Sequence, residues 1–168
     1  ADTGDAAGFV PIGLAADAVA VRAGVARAEL DAYGVRSQQR AAAAPAWESI
    51  VPVTGATGAV VDGDEGARPD TTIASLEQLA PLFADDPLWE RVERRLGLTT
   101  GVDRGRHTVG TSPQLADGAS ALVLASEGWV AEHGRTPLAR ILGWAHAAVR
   151  SPGLEATIPA SRKALAMA

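Results

Sequence analysis

The sequence predicts an α/β fold assembled from small side chains, and three observations carry that prediction. Past His107, two apolar runs alternate with two helical patterns, giving strand–helix–strand–helix order. Of the 168 residues 47% are hydrophobic but only 4% aromatic, so the core must come mainly from Ala, Gly, Val and Leu. The gain from burial scales with apolar area, so such a core is marginal and invites a partner surface. A pair of strands is also too small a sheet to cover both helices. The neighbouring strands of these layers are therefore expected outside the chain.

The elements follow in order. Ala15 to Val25 are good helix formers, with Gly24 where a helix end uses it. A second helix is predicted from Arg27 to Ala44, ended by Pro45; Leu30, Tyr33, Ser37 and Ala41 share one face, with Arg36, Gln39 and Arg40 largely off it. Ile50–Val53 and Ala59–Val61 read as short strands bounded by Gly55, Gly58 and Gly63. Glu65 to Asp70 reads as an ordered loop, and Thr72 to Leu79 as a short helix with Pro81 near its end. Phe83 to Arg106 is a charged stretch anchored by Trp89 and Leu96. Thr108 to Leu115 is turn-rich. Ala119–Ala125 reads as a buried strand, Glu127–His133 as a helix stopped by Gly134, Leu138–Ala147 as a second strand, and Ile158–Met167 as a last helix with Pro159 in its first turn.

Composition excludes several classes. A net charge of -5 and a pI near 5.1 argue against nucleic-acid binding, which rests on neutralising phosphates. No apolar run reaches the ~18–20 residues of a membrane span, and the acidic start Ala1-Asp2-Thr3-Gly4-Asp5 is no signal peptide. A start at Ala1 instead of Met reads as processing or truncation. With no cysteine there is neither a disulfide nor a thiolate metal site; no metal is expected, and a cytoplasmic setting is the default.

Six separated stretches carry a resemblance. They are Gly13-Leu14-Ala15-Ala16-Asp17-Ala18-Val19-Ala20, Arg36-Ser37-Gln38-Gln39-Arg40-Ala41, Asp62 to Thr72, Asp117-Gly118-Ala119-Ser120-Ala121, Thr136-Pro137-Leu138-Ala139-Arg140-Ile141, and Ile158-Pro159-Ala160-Ser161-Arg162-Lys163-Ala164-Leu165. In this order and spacing the chain, from about Gly13 to its end, resembles the middle of a thiolase, an acetyl-CoA acyltransferase of fatty acid or sterol side-chain metabolism. The resemblance implies a partial thiolase-like α/β fold in three parts. Residues 1–107 would be the loop domain holding the nucleotide end of coenzyme A. Residues 108–135 would return to the N-terminal half-domain, and 136–168 would open the C-terminal half-domain.

The same resemblance places the family's nucleophilic cysteine before this sequence. Its Asn-Glu-Ala-Phe motif, Gly-His-Pro histidine and second cysteine would follow it. Acyl transfer through a thiolate needs a low-pKa cysteine with a nearby base, and carbon–carbon chemistry beside a thioester needs a base and donors for the enolate oxygen. No side chain here replaces the thiolate, so the chain alone is expected to be inactive. His107, His133 and His146 fall on no family catalytic position, and a lone histidine is usually a surface or structural residue.

What the resemblance retains is cofactor binding. Gln38 falls on a position lining the nucleotide site. Arg68 falls on an arginine that packs on adenine and faces its phosphates, two jobs that suit a planar, permanent charge. The plainer alternative pairs Arg68 with Asp64 or Glu65. Ile12, Thr111 and Ser112 complete the candidate set at positions where the family pattern changes. Pro11-Ile12 stands for His-Met, and Gly110-Thr111-Ser112-Pro113 for Gly-Asn-Ala-Ser or Gly-Asn-Ser-Ser. The pantetheine arm thereby loses a carboxamide, a hydroxyl and a backbone donor, for which the Ser112 hydroxyl could partly compensate. Coenzyme A or acyl-CoA is expected as substrate, with no tightly bound cofactor. The expected assembly is a homo-oligomer or a complex with a chain carrying the missing half-domains. The alternatives are a non-catalytic acyl-CoA-binding module and a structural subunit of a split thiolase.

Overall fold

Helix α1 (Ile12–Arg22) starts behind Pro11 and ends at Ala23, where Gly24 takes up the left-handed conformation (φ 68°) that closes a helix. The computed structural model describes residues 9–45, 48–99, 101 and 104–168 and divides the chain into two compact units meeting between Gln114 and Leu115. The first unit therefore runs on past His107 to take in the turn-rich loop.

In that unit α1 packs on α4 (Trp89–Leu96). Leu14 and Ala18 from α1 meet Trp89 and Val92 from α4, all completely buried, with Val10, Val21, Phe83, Leu88, Leu96 and Leu98 around them. Trp89 also donates its Nε1–H to the Phe83 carbonyl at 2.5 Å, which satisfies the one polar atom of the largest core side chain. The Phe83 ring lies so close to α1 that a Cβ on Gly13 would fall 2.2 Å from it. Trp89 and Leu96 are thus the anchors that the sequence suggested.

Helix α2 (Arg27–Ala42) is capped by Glu29, whose carboxylate accepts the Ala26 N–H at 2.7 Å. It packs on the short α3 (Ile73–Glu77), itself capped reciprocally by Thr72 and Ser75. Arg27 joins the two. Its Nε donates to both oxygens of the buried Asp31 at 3.0 and 2.8 Å, while Nη2 donates to the carbonyls of Leu76 and Leu79 at 2.6 and 3.1 Å. The guanidinium therefore caps the end of α3 from one turn of α2. Between them, β1 (Val53–Thr54) and β2 (Val60–Val61) form an antiparallel hairpin with Val53 opposite Val61. It is shorter than expected and exposed throughout.

The second unit holds α5 (Glu127–Glu132), capped by Ser126, and α6 (Thr157–Met167). Residue 143 sits against α6 so tightly that a Cβ there would meet the Ala164 carbonyl at 2.9 Å. The strands expected over Ala119–Ala125 and Leu138–Ala147 do not form, since neither segment pairs with a neighbour among the described residues. A strand is defined by ladder bonds to another strand, and the apolar side chains here remain open instead: Val123 is 90% exposed and Trp144 70%. Strand propensity without a partner strand gives no sheet.

Candidate functional site

Three segments of the first unit converge: the middle of α2, the 64–72 loop and the 104–114 loop. The last is held by one buried carboxylate. Asp17 of α1 is fully buried, and its Oδ1 accepts the backbone N–H of Arg106 at 3.0 Å, that of His107 at 2.8 Å and the His107 ring Nδ1 at 2.5 Å. Leu82 donates its N–H to the His107 carbonyl at 2.9 Å from the other side. Arg106 adds a guanidinium bond to the Val25 carbonyl.

The next residues form a turn tied around Thr108, which is also fully buried. Thr108 N–H donates to Thr111 Oγ1 at 3.0 Å, Gly110 N–H to Thr108 Oγ1 at 3.1 Å, and Ser112 Oγ to the Thr108 carbonyl at 2.8 Å. The turn packs against α3, where a Cβ on Gly110 would lie 2.4 Å from Leu76 Cδ2. With its proton directed inward to the Thr108 carbonyl, Ser112 offers a ligand only oxygen lone pairs.

The 64–72 loop is pinned from both neighbours. Gln38 Oε1 accepts the Arg68 N–H at 2.7 Å, and Gln114 Nε2 donates to the Gly66 carbonyl at 2.7 Å. Asp64 accepts the Gly66 N–H at 2.7 Å, and Thr71 Oγ1 donates to the Arg68 carbonyl at 2.7 Å. These bonds fix the Arg68 backbone while its side chain stands exposed. Its guanidinium makes no ion pair among the described residues, so the alternative pairing with Asp64 or Glu65 is not formed.

A pocket of about 550 Å³ opens between these segments. Leu30, Tyr33, Gly34, Ser37 and Gln38 form its α2 wall; His107 and residues 110–114 form the other. Of the expected site residues, Gln38, Thr111 and Ser112 line it, and Arg68 adjoins it through the bond to Gln38. Ile12 does not: it opens α1, 77% exposed, outside the lining. His107, Tyr33, Ser37 and Gln114 line the pocket without having been expected there. Leu30, Gly34 and Gln38 recur every four residues, as do Tyr33 and Ser37, a face readable in the sequence. Among the described residues no cluster of His, Cys, Asp and Glu could hold a metal ion.

Comparison with known proteins identifies the architecture. A family model, the thiolase N-terminal domain, matches residues 4–87. The β-ketoadipyl-CoA thiolase of Pseudomonas aeruginosa is 40% identical over 167 residues, covering 94% of this chain and 37% of the relative. The acetyl-CoA acetyltransferase of Paracoccus denitrificans is 37% identical over 92% of this chain and 37% of its own length. The crystal structure of human mitochondrial 3-ketoacyl-CoA thiolase in complex with CoA superposes with a TM-score of 0.64 at 32% identity, covering 83% of this chain and 32% of that one. The chain thus spans about a third of the length of the curated relatives it matches. The fold is a partial α/β thiolase fold, in agreement with the sequence.

Proposed function

The chain belongs to the thiolase family, and on that premise we propose that its first unit holds the nucleotide end of coenzyme A for acyl transfer completed by half-domains outside this sequence. One observation carries the reading. Gln38 grips the Arg68 backbone at the pocket edge, leaving an exposed guanidinium with no ion pair among the described residues. A planar cation so placed can stack on adenine and fork onto phosphate oxygens. The pocket beside it takes the uncharged arm, met by Thr111 and Ser112. In this assignment residues 1–107 are the loop domain, 108–135 the return to the N-terminal half-domain and 136–168 the start of the C-terminal one. Acyl transfer itself requires a thiolate, which no residue of this cysteine-free sequence provides.

The exposed apolar side chains of the second unit favour an assembly in which another polypeptide surface, from a chain carrying the missing half-domains, covers them. Titration calorimetry with coenzyme A tests the nucleotide role. Arg68→Ala should weaken binding about tenfold, and Arg68→Lys should weaken it as well, since an ammonium neither stacks nor forks. Wild-type affinity should fall with added salt, which screens the phosphate attraction. Equal affinity in wild type and both variants would reject the assignment.

A further inference from the structure

We propose that His107 is a ligand-binding residue, held by Asp17 so that its Nε2 accepts a hydrogen bond from an amide N–H on the uncharged arm of the bound thioester cofactor. The proposal rests on the coenzyme A reading above and assigns a contact that reading leaves open.

The chemistry starts with the buried carboxylate. Asp17 Oδ1 lies 2.5 Å from His107 Nδ1, and a carboxylate oxygen that already accepts two backbone N–H groups takes a third donor there. Nδ1 therefore carries the proton, and in the neutral ring Nε2 is left as an acceptor. The Asp17 contact also orients the ring, on a backbone held through the His107 N–H and carbonyl. The ring edge opposite Nδ1 carries Nε2, which has no bond among the described residues. His107 lines the pocket, its side chain is 19% exposed, and Nε2 is not among the buried atoms left without a partner, which leaves that edge open to a ligand.

The neighbours select the ligand group. Ser112 directs its proton to the Thr108 carbonyl, so its oxygen stands as an acceptor beside the imidazole. Leu30, the Tyr33 ring and Pro113 supply apolar surface, and Ser37, Gln38 and Gln114 supply further neutral polar groups. A wall of apolar surface and neutral polar groups suits a flexible neutral chain that bears amide groups. The amides of a pantetheine arm are such groups. Neither Lys nor Arg lines this pocket, so the phosphates belong at Arg68.

Two variants separate a ligand contact from a structural role. His107→Asn places an amide N–H where Nδ1 stands, retaining the Asp17 bond and removing Nε2. His107→Gln reaches the position of Nε2 with an amide oxygen that can accept, and gives up the Asp17 bond. Calorimetry on the full chain would use two probes: coenzyme A, and adenosine 3′,5′-bisphosphate, its nucleotide end without the arm. The expected result for His107→Asn is a melting temperature near wild type. Its coenzyme A affinity should be lowered about five- to tenfold, the effect of one neutral hydrogen bond, with unchanged affinity for the bisphosphate. His107→Gln should melt lower yet bind coenzyme A better than His107→Asn does. The reverse order, an unchanged coenzyme A affinity in His107→Asn, or an equal loss for both probes would each overturn the proposal while the Arg68 reading stands. A wild-type chain that binds neither probe would overturn that reading, and this inference with it.

Discussion

Replacing Arg27 by Met tests what holds the α2 wall of the pocket in place. The Arg27 side chain is 26% exposed and the Asp31 side chain 1%, at an Nε–Oδ2 distance of 2.8 Å. Removing one partner of a buried pair costs about 3–5 kcal/mol, because the other charge is stranded in the interior. Partial exposure of Arg27 means that solvent already weakens the pair, so the lower end, about 3 kcal/mol, is expected. That is roughly a hundredfold in the folding equilibrium. The carbonyls of Leu76 and Leu79 lose a charged donor in the same substitution, so α3 should loosen with α2. Urea unfolding followed by circular dichroism reads the stability, and amide exchange across Ile73–Glu77 reads the local effect. In the double variant Arg27→Met/Asp31→Leu no charge is stranded, and most of the lost stability should return. A cost below about 0.5 kcal/mol for Arg27→Met, or a double variant no more stable than the single one, would show that the clamp does not hold these helices.

Two further outcomes follow from close approach and from exposure. Gly110→Ala would set a Cβ 2.4 Å from Leu76 Cδ2 and 2.9 Å from Leu79 Cδ1, so a destabilisation of about 1–3 kcal/mol is expected by thermal unfolding, together with weaker coenzyme A binding as the 110–114 wall shifts. The isolated chain should self-associate with rising concentration and show little amide protection from Leu115 onward, since Leu122, Val123, Leu138 and Trp144 stand open. A sharp monomeric sedimentation boundary with full protection there would contradict this.

The helices were legible because their signals are local. Gly24 after α1, the Leu30–Tyr33–Ser37 stripe on α2 and Trp89 in a charged stretch each act within a few residues, and the structure realises all three. The structure also brings two family-pattern residues together: Gln38 and Arg68, thirty residues apart, meet through a hydrogen bond. The strands failed for the opposite reason. Ala119–Ala125 and Leu138–Ala147 have the composition of buried strands, but pairing is a property of two segments, and composition cannot supply the second.

The same distinction explains why the histidine at the pocket was undervalued. Judged alone, His107 is one of three histidines with no motif around it. Its significance arises from Asp17, ninety residues away on α1, whose Oδ1 lies against the His107 ring Nδ1. Nothing in the sequence pairs these two residues. Asp17 lies on the buried face of α1 with Leu14 and Ala18, where a carboxylate is costly unless its donors are present. An acidic residue on an otherwise apolar helix face is therefore the readable part of the signal. It requires donors from elsewhere in the fold, and here Arg106 and His107 provide them to Oδ1, while Oδ2 has none among the described residues. The arrangement couples the α1–α4 core to the pocket wall through a single oxygen atom, so a change at Asp17 should move the 104–114 loop before it disturbs the Leu14–Trp89 packing.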